Sequence, residues 1–305
     1  MSVVARALRR TGSTVLGPPL IALVARMGQR RLLGGSVAIR AVEELVSGGP
    51  RRTTVASVDL GAAPASCLEL DLSLPGCRSL LVQPLSKHGD WSSMQLFTTL
   101  ARDAHTIIDI GANVGVFTYL AALHAPRARV IAYEPTPRLA ALIERNVARN
   151  GWSERVEVRR VAVSAEPGTL MFYVRQNDQE STLESGRTAS GDVRERFEVP
   201  VVSLDDVFER EGIDASTALV KIDVEGHEMK VLDGFERTLR RPHGRPTLLM
   251  EFLGHAIVDD RIIERVLGLD LRVSYVTSHG LVALSSTHDF ARAQELGQFN
   301  FLVAE

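Results

Sequence analysis

The sequence is poor in cysteine and has no long uninterrupted hydrophobic run. Its 305 residues include two cysteines, Cys67 and Cys77, whose spacing matches neither a CxxC redox pair nor a zinc-binding cluster. The apolar stretch Val15 to Ala25 is shorter than the about 20 residues that span a bilayer, and Pro18 and Pro19 interrupt it. A signal peptide is disfavoured by the same prolines and by the lack of a small-residue cleavage pattern. These absences predict a cytoplasmic protein with reduced thiols.

The chain also lacks the excess of positive charge that is typical of nucleic-acid-binding proteins. Its 35 basic and 37 acidic residues leave a net charge of −2, so we expect no nucleic-acid partner. The charge is unevenly distributed, because residues 1–42 carry seven arginines and no acid, and +7 there leaves −9 for the remainder. A basic amphipathic segment can lie on anionic lipid, which predicts peripheral membrane contact. The alternative is a helical extension whose arginines are simply solvated, which is the more common role of a charged helix face.

One ten-residue stretch joins a strand, a turn rich in small residues and the start of a helix. Ile107, Ile108 and Ile110 are typical of a buried parallel strand, and helical spacing begins at Val116. The intervening sequence, Asp109-Ile-Gly-Ala-Asn-Val-Gly115, has glycines only at its third and last positions. A dinucleotide site would show G-x-G-x-x-G, so this spacing favours S-adenosylmethionine over NAD. The candidate cofactor-binding residues of this turn are Asp109, Gly111, Ala112, Asn113 and Gly115.

A second predicted strand, Val130 to Tyr133, ends in an acid about 20 residues after the first turn. At this distance a Rossmann-like unit places a carboxylate on the ribose hydroxyls of its nucleotide. Glu134 is therefore the candidate ribose ligand. The prolines that follow suit the start of a helix, since the first helical positions need no N–H donor.

The third informative stretch is a buried strand that ends in a dense group of titratable residues, Lys221-Ile-Asp-Val-Glu-Gly-His-Glu228. Strand alternation places Lys221 and Asp223 on the same side, and Gly226 permits a turn before the next helix. These groups converge at the carboxyl edge of the sheet, where open α/β sheets bind ligands. Just three of the 35 basic residues are lysines, and Lys221 and Lys230 are two of them.

In this order the three stretches, with Val231-Leu-Asp-Gly234 behind the third, resemble the FkbM-type S-adenosylmethionine-dependent methyltransferases. The resemblance spans roughly residues 85 to 303. It implies an α/β fold of the Rossmann-like class I methyltransferases, with a mostly parallel seven-stranded sheet and helices on both faces. It further implies O-methylation of a hydroxyl on a sugar, glycolipid or natural-product scaffold, with S-adenosylmethionine as cofactor. We predict a basic helical extension and small β element over 1–85 and a methyltransferase domain over 86–305.

Methyl transfer to a hydroxyl requires alignment of the acceptor oxygen and removal of its proton. His227 has the intrinsic pKa of a general base, about 6.5, whereas Asp223 would need burial to raise its pKa toward neutrality. We predict His227 as the base, with Asp223 and Glu225 orienting the acceptor or the positive end of the cofactor. Asp223 is thus a candidate for both cofactor binding and catalysis. A capped structural histidine is the alternative for His227.

Several alternatives remain open at the level of the sequence. The acids near His227 can ligate Mg²⁺ or Mn²⁺, but consecutive ligands are sterically awkward, so we expect no metal. An NAD-type oxidoreductase is disfavoured by the glycine spacing, and fold alone does not exclude a noncatalytic binding protein.

Outside the three stretches, the sequence predicts further strands. We expect strands at Val55–Leu60, Ser66–Leu72 and Leu80–Val82, and further strands of the main sheet near Val156–Val163 and Leu170–Val174. The polar stretch Asn177–Asp192 is predicted to be a loop.

Overall fold

A computed structural model describes residues 53–60, 66–82, 85, 91–175, 183, 193–251, 256–277, 279–294 and 301–304. The chain divides into two compact units, Met1–His88 and Gly89–Glu305. The domain boundary predicted from the sequence lies between residues 85 and 86. The predicted helical extension over residues 1–50 lies outside the described residues. So does the predicted loop Asn177–Asp192, except for Leu183.

The described part of the first unit contains a two-stranded antiparallel sheet followed by a helix. Strands β1 (Thr53–Val58) and β2 (Ser66–Asp71) pair along their whole length. Helix α1 spans Pro75–Val82 and buries its apolar side chains. The prediction of a strand at Leu80–Val82 is therefore wrong. A three-residue apolar run has no measurable period, and Pro75 at the first helical position is the signal that identifies the helix.

The second unit is built around an eight-stranded sheet. Its strand order is β12-β11-β13-β10-β9-β3-β4-β5. The strands of this unit in chain order are β3 (Thr106–Ile110), β4 (Arg129–Tyr133), β5 (Val156–Arg159), β6 (Ala162–Val163), β7 (Gly168–Arg175), β8 (Val193–Val202), β9 (Ala218–Ile222), β10 (Thr247–Glu251), β11 (Val273–Thr277), β12 (Gly280–Leu284) and β13 (Phe301–Ala304).

Five adjacent strands of this sheet, from β10 to β5, run parallel, and the pairs β10–β13, β13–β11 and β11–β12 are antiparallel. The mostly parallel α/β class that the sequence predicted is thus confirmed. The sheet has one strand more than the predicted seven. The additional strand is β12, which forms an edge hairpin with β11.

A separate three-stranded sheet with the order β6-β8-β7 follows β5 in the chain. The prediction that both later segments continue the main sheet is correct for Val156–Arg159 and wrong for Ala162–Val163 and Gly168–Arg175. The alternation of side chains identifies a strand but does not identify its partner. The apolar side chains of this small sheet form their own cluster, which includes Phe172, Val174 and Val199.

Helices cover both faces of the main sheet. They are α2 (Trp91–Ala101), α3 (Val116–His124), α4 (Pro137–Arg149), α5 (Leu204–Glu211), α6 (Glu228–Asp233), α7 (Glu236–Leu239), α8 (Ala256–Leu267) and α9 (Thr287–Gln294). On one face, Ile108 and Ile110 of β3 belong to one apolar cluster with side chains of α5, α6 and α8. On the other face, Thr118 of α3 donates a hydrogen bond to Asp109 of β3. Within the described residues, no helix combines the length and hydropathy needed to cross a membrane.

Candidate functional site

A cavity of about 230 Å³ lies at the carboxyl ends of the central parallel strands. Strands β10, β9, β3 and β4 are neighbours in the sheet, so the residues that follow them meet at one edge. This is the edge at which open α/β sheets bind ligands. The described lining consists of Ile110, Gly111, Asn113, Tyr133, Glu134, Pro135, Thr136, Leu139, Val161, Ala162, Val163, Phe172, Leu183, Asp223, Val224, Glu225, His227 and Glu251.

The turn after β3 is held against both neighbouring strands. The backbone N–H groups of Gly111 and Ala112 donate to the carbonyl of Tyr133. Gly111 has φ +74°, and a Cβ at this position would lie 1.8 Å from the carbonyl oxygen of Asp223. Glycine is therefore required here both by the backbone conformation and by the close approach of the chain after β9.

Glu134 is fixed beside this turn by backbone donors. Its two carboxylate oxygens accept hydrogen bonds from the N–H groups of Asn113 and Thr136, each at 2.8 Å. The residue is 4% exposed. Burial raises the pKa of the Glu134 carboxyl to about 7, although both N–H donors act in the opposite direction. Each carboxylate oxygen retains capacity for a second hydrogen bond from a ligand in the cavity.

Lys221 lies on the sheet face opposite to the large apolar cluster and connects three acceptors. Its ammonium is 3.0 Å from Oδ2 of Asp223, 3.4 Å from Oδ1 of Asp109 and 3.0 Å from the carbonyl of Gly111. Burial alone would lower the pKa of Lys221, but the carboxylates of Asp223 and Asp109 outweigh it, and this pKa lies above its usual range. The ammonium also lies 5.1 Å from the ring centroid of Phe117.

The turn after β9 carries backbone strain at the cavity. Glu225 has φ +54° and Gly226 has φ +98°, and left-handed backbone in a residue other than glycine concentrates at functional sites. Glu228 stabilises this turn, because its Oε1 accepts hydrogen bonds from the N–H of Gly226 at 3.0 Å and from the N–H of Val224 at 3.4 Å. Burial raises the pKa of Glu228, partly offset by the Gly226 donor. Within the acidic motif, Asp223 and Glu225 therefore line the cavity, whereas Glu228 holds the turn in place.

His227 lines the cavity and is held from behind by a serine. Nε2 of His227 lies 2.8 Å from Oγ of Ser164, and both residues are 5% exposed. Ser164 follows β6, whereas His227 precedes α6. The backbone thus brings together two segments that are 63 positions apart.

The other end of the cavity is mostly apolar. Tyr133, Leu139, Phe172 and Leu183 contribute to it, together with the segment Val161–Val163. Tyr133 is held in place because its hydroxyl accepts a hydrogen bond from Arg159 at 2.9 Å. Phe172 packs on Phe197 with ring centroids 5.8 Å apart.

The structure brings most of the predicted site residues together. Six of them line the cavity, namely Gly111, Asn113, Glu134, Asp223, Glu225 and His227. Asp109, Ala112 and Gly115 are not part of the lining. Asp109 is fully buried, accepts from Thr118 at 2.6 Å and lies against Lys221. A Cβ on Gly115 would lie 2.6 Å from the Tyr119 ring, so this glycine serves helix packing. The cofactor contacts assigned to these residues stay predictions.

Sequence reasoning missed two features of the site. Ser164 follows a short strand whose sequence gives no indication that its hydroxyl contacts His227. The apolar wall from Phe172 comes from the small sheet that was predicted to continue the main one. Glu251, which the sequence also indicated as a titratable group at this edge, ends β10 and lines the cavity. Across the described ranges, no group of three or more side chains is arranged to hold a metal ion.

Comparison with known proteins gives a family match over half of the chain. Residues 109–265 match the family described as "Methyltransferase FkbM domain". The 31-O-demethyl-FK506 methyltransferase FkbM of Streptomyces tacrolimicus is 33% identical over 161 residues, which are 44% of this chain and 61% of that protein. The 2-O-methyltransferase NoeI of Sinorhizobium fredii is 28% identical over 162 residues, 48% of this chain and 64% of that protein. The chain thus spans about 60% of the length of these relatives.

Among solved structures, the O-methyltransferase TomG from Streptomyces achromogenes, in complex with SAM, covers 70% of this chain and 78% of its own. Its TM-score is 0.38 at 16% identity. The match to an O-methyltransferase from Bacillus cereus, in complex with SAH, covers 71% of this chain and 79% of that one, with a TM-score of 0.34 and also at 16% identity. The assignment rests on the family match, which begins at Asp109 and includes the acidic motif around His227. The chain belongs to the FkbM methyltransferase family.

Proposed function

We propose that this chain is an S-adenosylmethionine-dependent O-methyltransferase that acts on a hydroxyl of a sugar, glycolipid or natural-product acceptor. The observation that carries the proposal is the cavity in which Glu134, Asp223, Glu225 and His227 converge at the carboxyl ends of four neighbouring strands. Methyltransferase membership comes from the family. The cofactor, the oxygen acceptor and the acceptor class are the proposed parts.

The residues present fit this cofactor. Glu134 offers a buried carboxylate with remaining acceptor capacity, which suits ribose hydroxyls. Oδ1 of Asp109 is buried and has no hydrogen-bond partner among the described residues. Asp109 and Asp223 share the ammonium of Lys221, so the three groups together leave one net negative charge beneath the first turn, which suits a cationic ligand. The apolar end of the cavity, with Tyr133 and Phe172, suits a nucleobase.

The same geometry disfavours a dinucleotide. A pyrophosphate binds through free N–H groups at the first turn and the helix that follows it. Here the N–H of Asn113 already donates to Glu134 at 2.8 Å. A pyrophosphate at this position would meet a carboxylate instead of a free donor, and like charges repel.

The two ends of the site are far enough apart to serve two ligands. Adjacent strands are about 4.8 Å apart, so the ends of β4 and β10 are separated by about 14 Å across β3 and β9. Glu134 follows β4, and Glu251 ends β10. We assign the Glu134 end to the nucleoside and the end with Glu225, His227 and Glu251 to the acceptor.

S-adenosylmethionine supplies an activated methyl group on a sulfonium, so the protein must supply alignment and proton removal. His227 accepts the proton of the acceptor hydroxyl while the oxygen forms its new bond to carbon. Glu225 and Asp223 accept hydrogen bonds from neighbouring acceptor hydroxyls and orient them. Relatives named for 31-O and 2-O methylation, and one named as the hexuronic acid methyltransferase AglP of Haloferax volcanii, support an oxygen acceptor on a hydroxylated small molecule.

Calorimetric titration with S-adenosylmethionine, S-adenosylhomocysteine and NAD tests the cofactor. We expect both methionine cofactors to bind and NAD to give no signal. Glu134→Gln should weaken binding about 10- to 100-fold, because hydrogen bonds to a charged group contribute about 1.5–3 kcal/mol. Glu157→Gln, at an exposed glutamate of the neighbouring strand β5, is the matched control. Binding of NAD, or no binding by folded protein, contradicts the proposal.

Transfer of a labelled methyl group to a panel of hydroxylated glycosides then tests the reaction. We expect His227→Asn to bind S-adenosylhomocysteine like the wild type and to lose about 10²- to 10⁴-fold in turnover, the range for general base catalysis. Full activity of this variant would assign His227 a structural role.

A further inference from the structure

Ser164 contacts the proposed catalytic base without lining the cavity itself. Its Oγ lies 2.8 Å from Nε2 of His227. His227 belongs to the lining, whereas Ser164 does not. Nε2 of the His227 ring therefore contacts a residue outside the lining.

The backbone of Ser164 is fixed on two sides. Its N–H donates to the carbonyl of Val202 at 3.0 Å, which continues the pairing of β6 with β8. Its carbonyl oxygen packs against Gly234, where an added Cβ would lie 2.1 Å away. Gly234 directly follows α6, the helix that begins after His227. A glycine at the end of that helix thus lets the serine segment approach closely enough for Oγ to reach the ring.

A neutral imidazole has one nitrogen that donates and one that accepts. For His227 to take a proton from an acceptor hydroxyl through the nitrogen that is not bound to Ser164, Nδ1 must carry the lone pair and Nε2 the hydrogen. A serine hydroxyl can accept from Nε2–H or donate to an unprotonated Nε2, and only acceptance from Nε2–H goes with a lone pair on Nδ1. The same contact stabilises the ring after it becomes an imidazolium.

We infer that Ser164 is a positioning residue that holds His227 in the Nε2–H tautomer and so leaves Nδ1 as the proton acceptor of the methyl transfer. In that step the acceptor O–H bond breaks, its proton moves to Nδ1 and its electron pair stays on the oxygen. That oxygen forms the O–CH₃ bond as the bond between the methyl group and the sulfonium sulfur breaks, and the electron pair of the broken bond stays on sulfur. The proton leaves to solvent after transfer. This inference rests on the proposed function, because it assigns a role to the base of that reaction.

The tautomer is measured directly by NMR of protein labelled with ¹⁵N-histidine, through correlations between ring nitrogens and ring carbon-bound protons. His227→Asn identifies the His227 signals among the eight histidines of the chain. We expect wild-type His227 to show a protonated Nε2 and an unprotonated Nδ1. Ser164→Ala should lose this single-tautomer pattern, and Ser164→Thr, which keeps the hydroxyl, should retain it.

Ser93→Ala is the matched control, since it removes the hydroxyl of another fully buried serine and should leave the His227 signals unchanged. With an acceptor, Ser164→Ala should lower kcat at least tenfold without raising KM. A wild-type His227 protonated on Nδ1, or a Ser164→Ala variant with an unchanged tautomer, overturns the inference. The wild-type measurement decides the question even where Ser164→Ala does not fold. Titration with S-adenosylhomocysteine reports on the proposed function separately, because Ser164 does not line the cavity.

Discussion

Two buried carboxylates on neighbouring strands of this sheet are held in different ways. Asp109 on β3 lies 3.4 Å from the ammonium of Lys221 and accepts from Thr118. Glu134, directly after β4, is held by two backbone N–H groups, and among the described residues no lysine or arginine contacts it. A carboxylate beside a cation contributes a fixed charge to the structure. A carboxylate held by neutral donors keeps a titratable charge and can still accept hydroxyl groups from a ligand.

Removing the cation should have the largest effect. Lys221→Met leaves Asp109 and Asp223 without their shared partner, and breaking a buried pair in this way costs about 3–5 kcal/mol. We expect the free energy of unfolding, measured with urea, to fall by this amount. Adding Asp109→Asn to the same variant should recover part of the loss, because it removes the uncompensated charge.

Lys230→Met provides the comparison for this variant. Lys230 is 56% exposed, and its ion pair with Asp233 is 3.7 Å long. Exposed pairs of this kind contribute at most about 1 kcal/mol. Equal losses for the two lysine variants would show that the buried cation does not have the role assigned to it.

The close contact between Gly111 and the backbone of Asp223 should give the next largest effect on stability. Gly111 and Gly151 have nearly the same φ, +74° and +71°, but a Cβ on Gly151 meets nothing within 4 Å. Gly151→Ala should cost about 1 kcal/mol from conformation alone. Gly111→Ala should cost about 1–3 kcal/mol more, because its methyl group must displace the Asp223 carbonyl.

Thermal and urea unfolding of both alanine variants measure this difference. Calorimetry with S-adenosylhomocysteine adds a second readout, since displacement of Asp223 distorts the cavity only in Gly111→Ala. Identical stability and binding of the two variants would contradict the described contact.

The titratable carboxylate should produce the smallest effect, which depends on pH. The pKa of Glu134 is raised from 4.5 to about 7, so the folded chain binds a proton there that the unfolded chain releases. Its contribution to stability is fully present below about pH 4.5 and is lost as the pH rises through 7. Between pH 5.5 and 7.5 the wild type should lose about 2 kcal/mol more than Glu134→Gln.

Urea unfolding at a series of pH values measures this difference for the two proteins. Because ribose hydroxyls donate to the ionised carboxylate, affinity for S-adenosylhomocysteine should rise as the pH increases through 7 in the wild type and not in Glu134→Gln. Parallel stability profiles for the two proteins would show that Glu134 does not titrate in this range.

The sequence predicted those features that follow from strands ending in polar residues. Glu134 and Asp223 directly follow apolar runs, and parallel strands bring their carboxyl ends to the same edge, so their meeting in one cavity was predictable. The role of Asp109 was harder to predict, because nothing in its own motif shows that Lys221, 112 positions later, lies opposite it. Ser164 was missed since its contact with His227 depends on the partner of β6, and strand alternation does not reveal partners.

The pairing of Asp109 with Lys221 also bears on how the strands find their alignment. These two residues are directly opposite each other in the ladder between β3 and β9. A slip of one residue would place Val220 or Ile222 opposite Asp109 and turn Lys221 toward the large apolar cluster. Apolar strands of similar composition can pair in several registers with similar free energies, whereas a buried charge pair forms in only one of these registers. The pair therefore penalises misaligned assembly of the central sheet, so that the segments forming the cavity meet in the correct register.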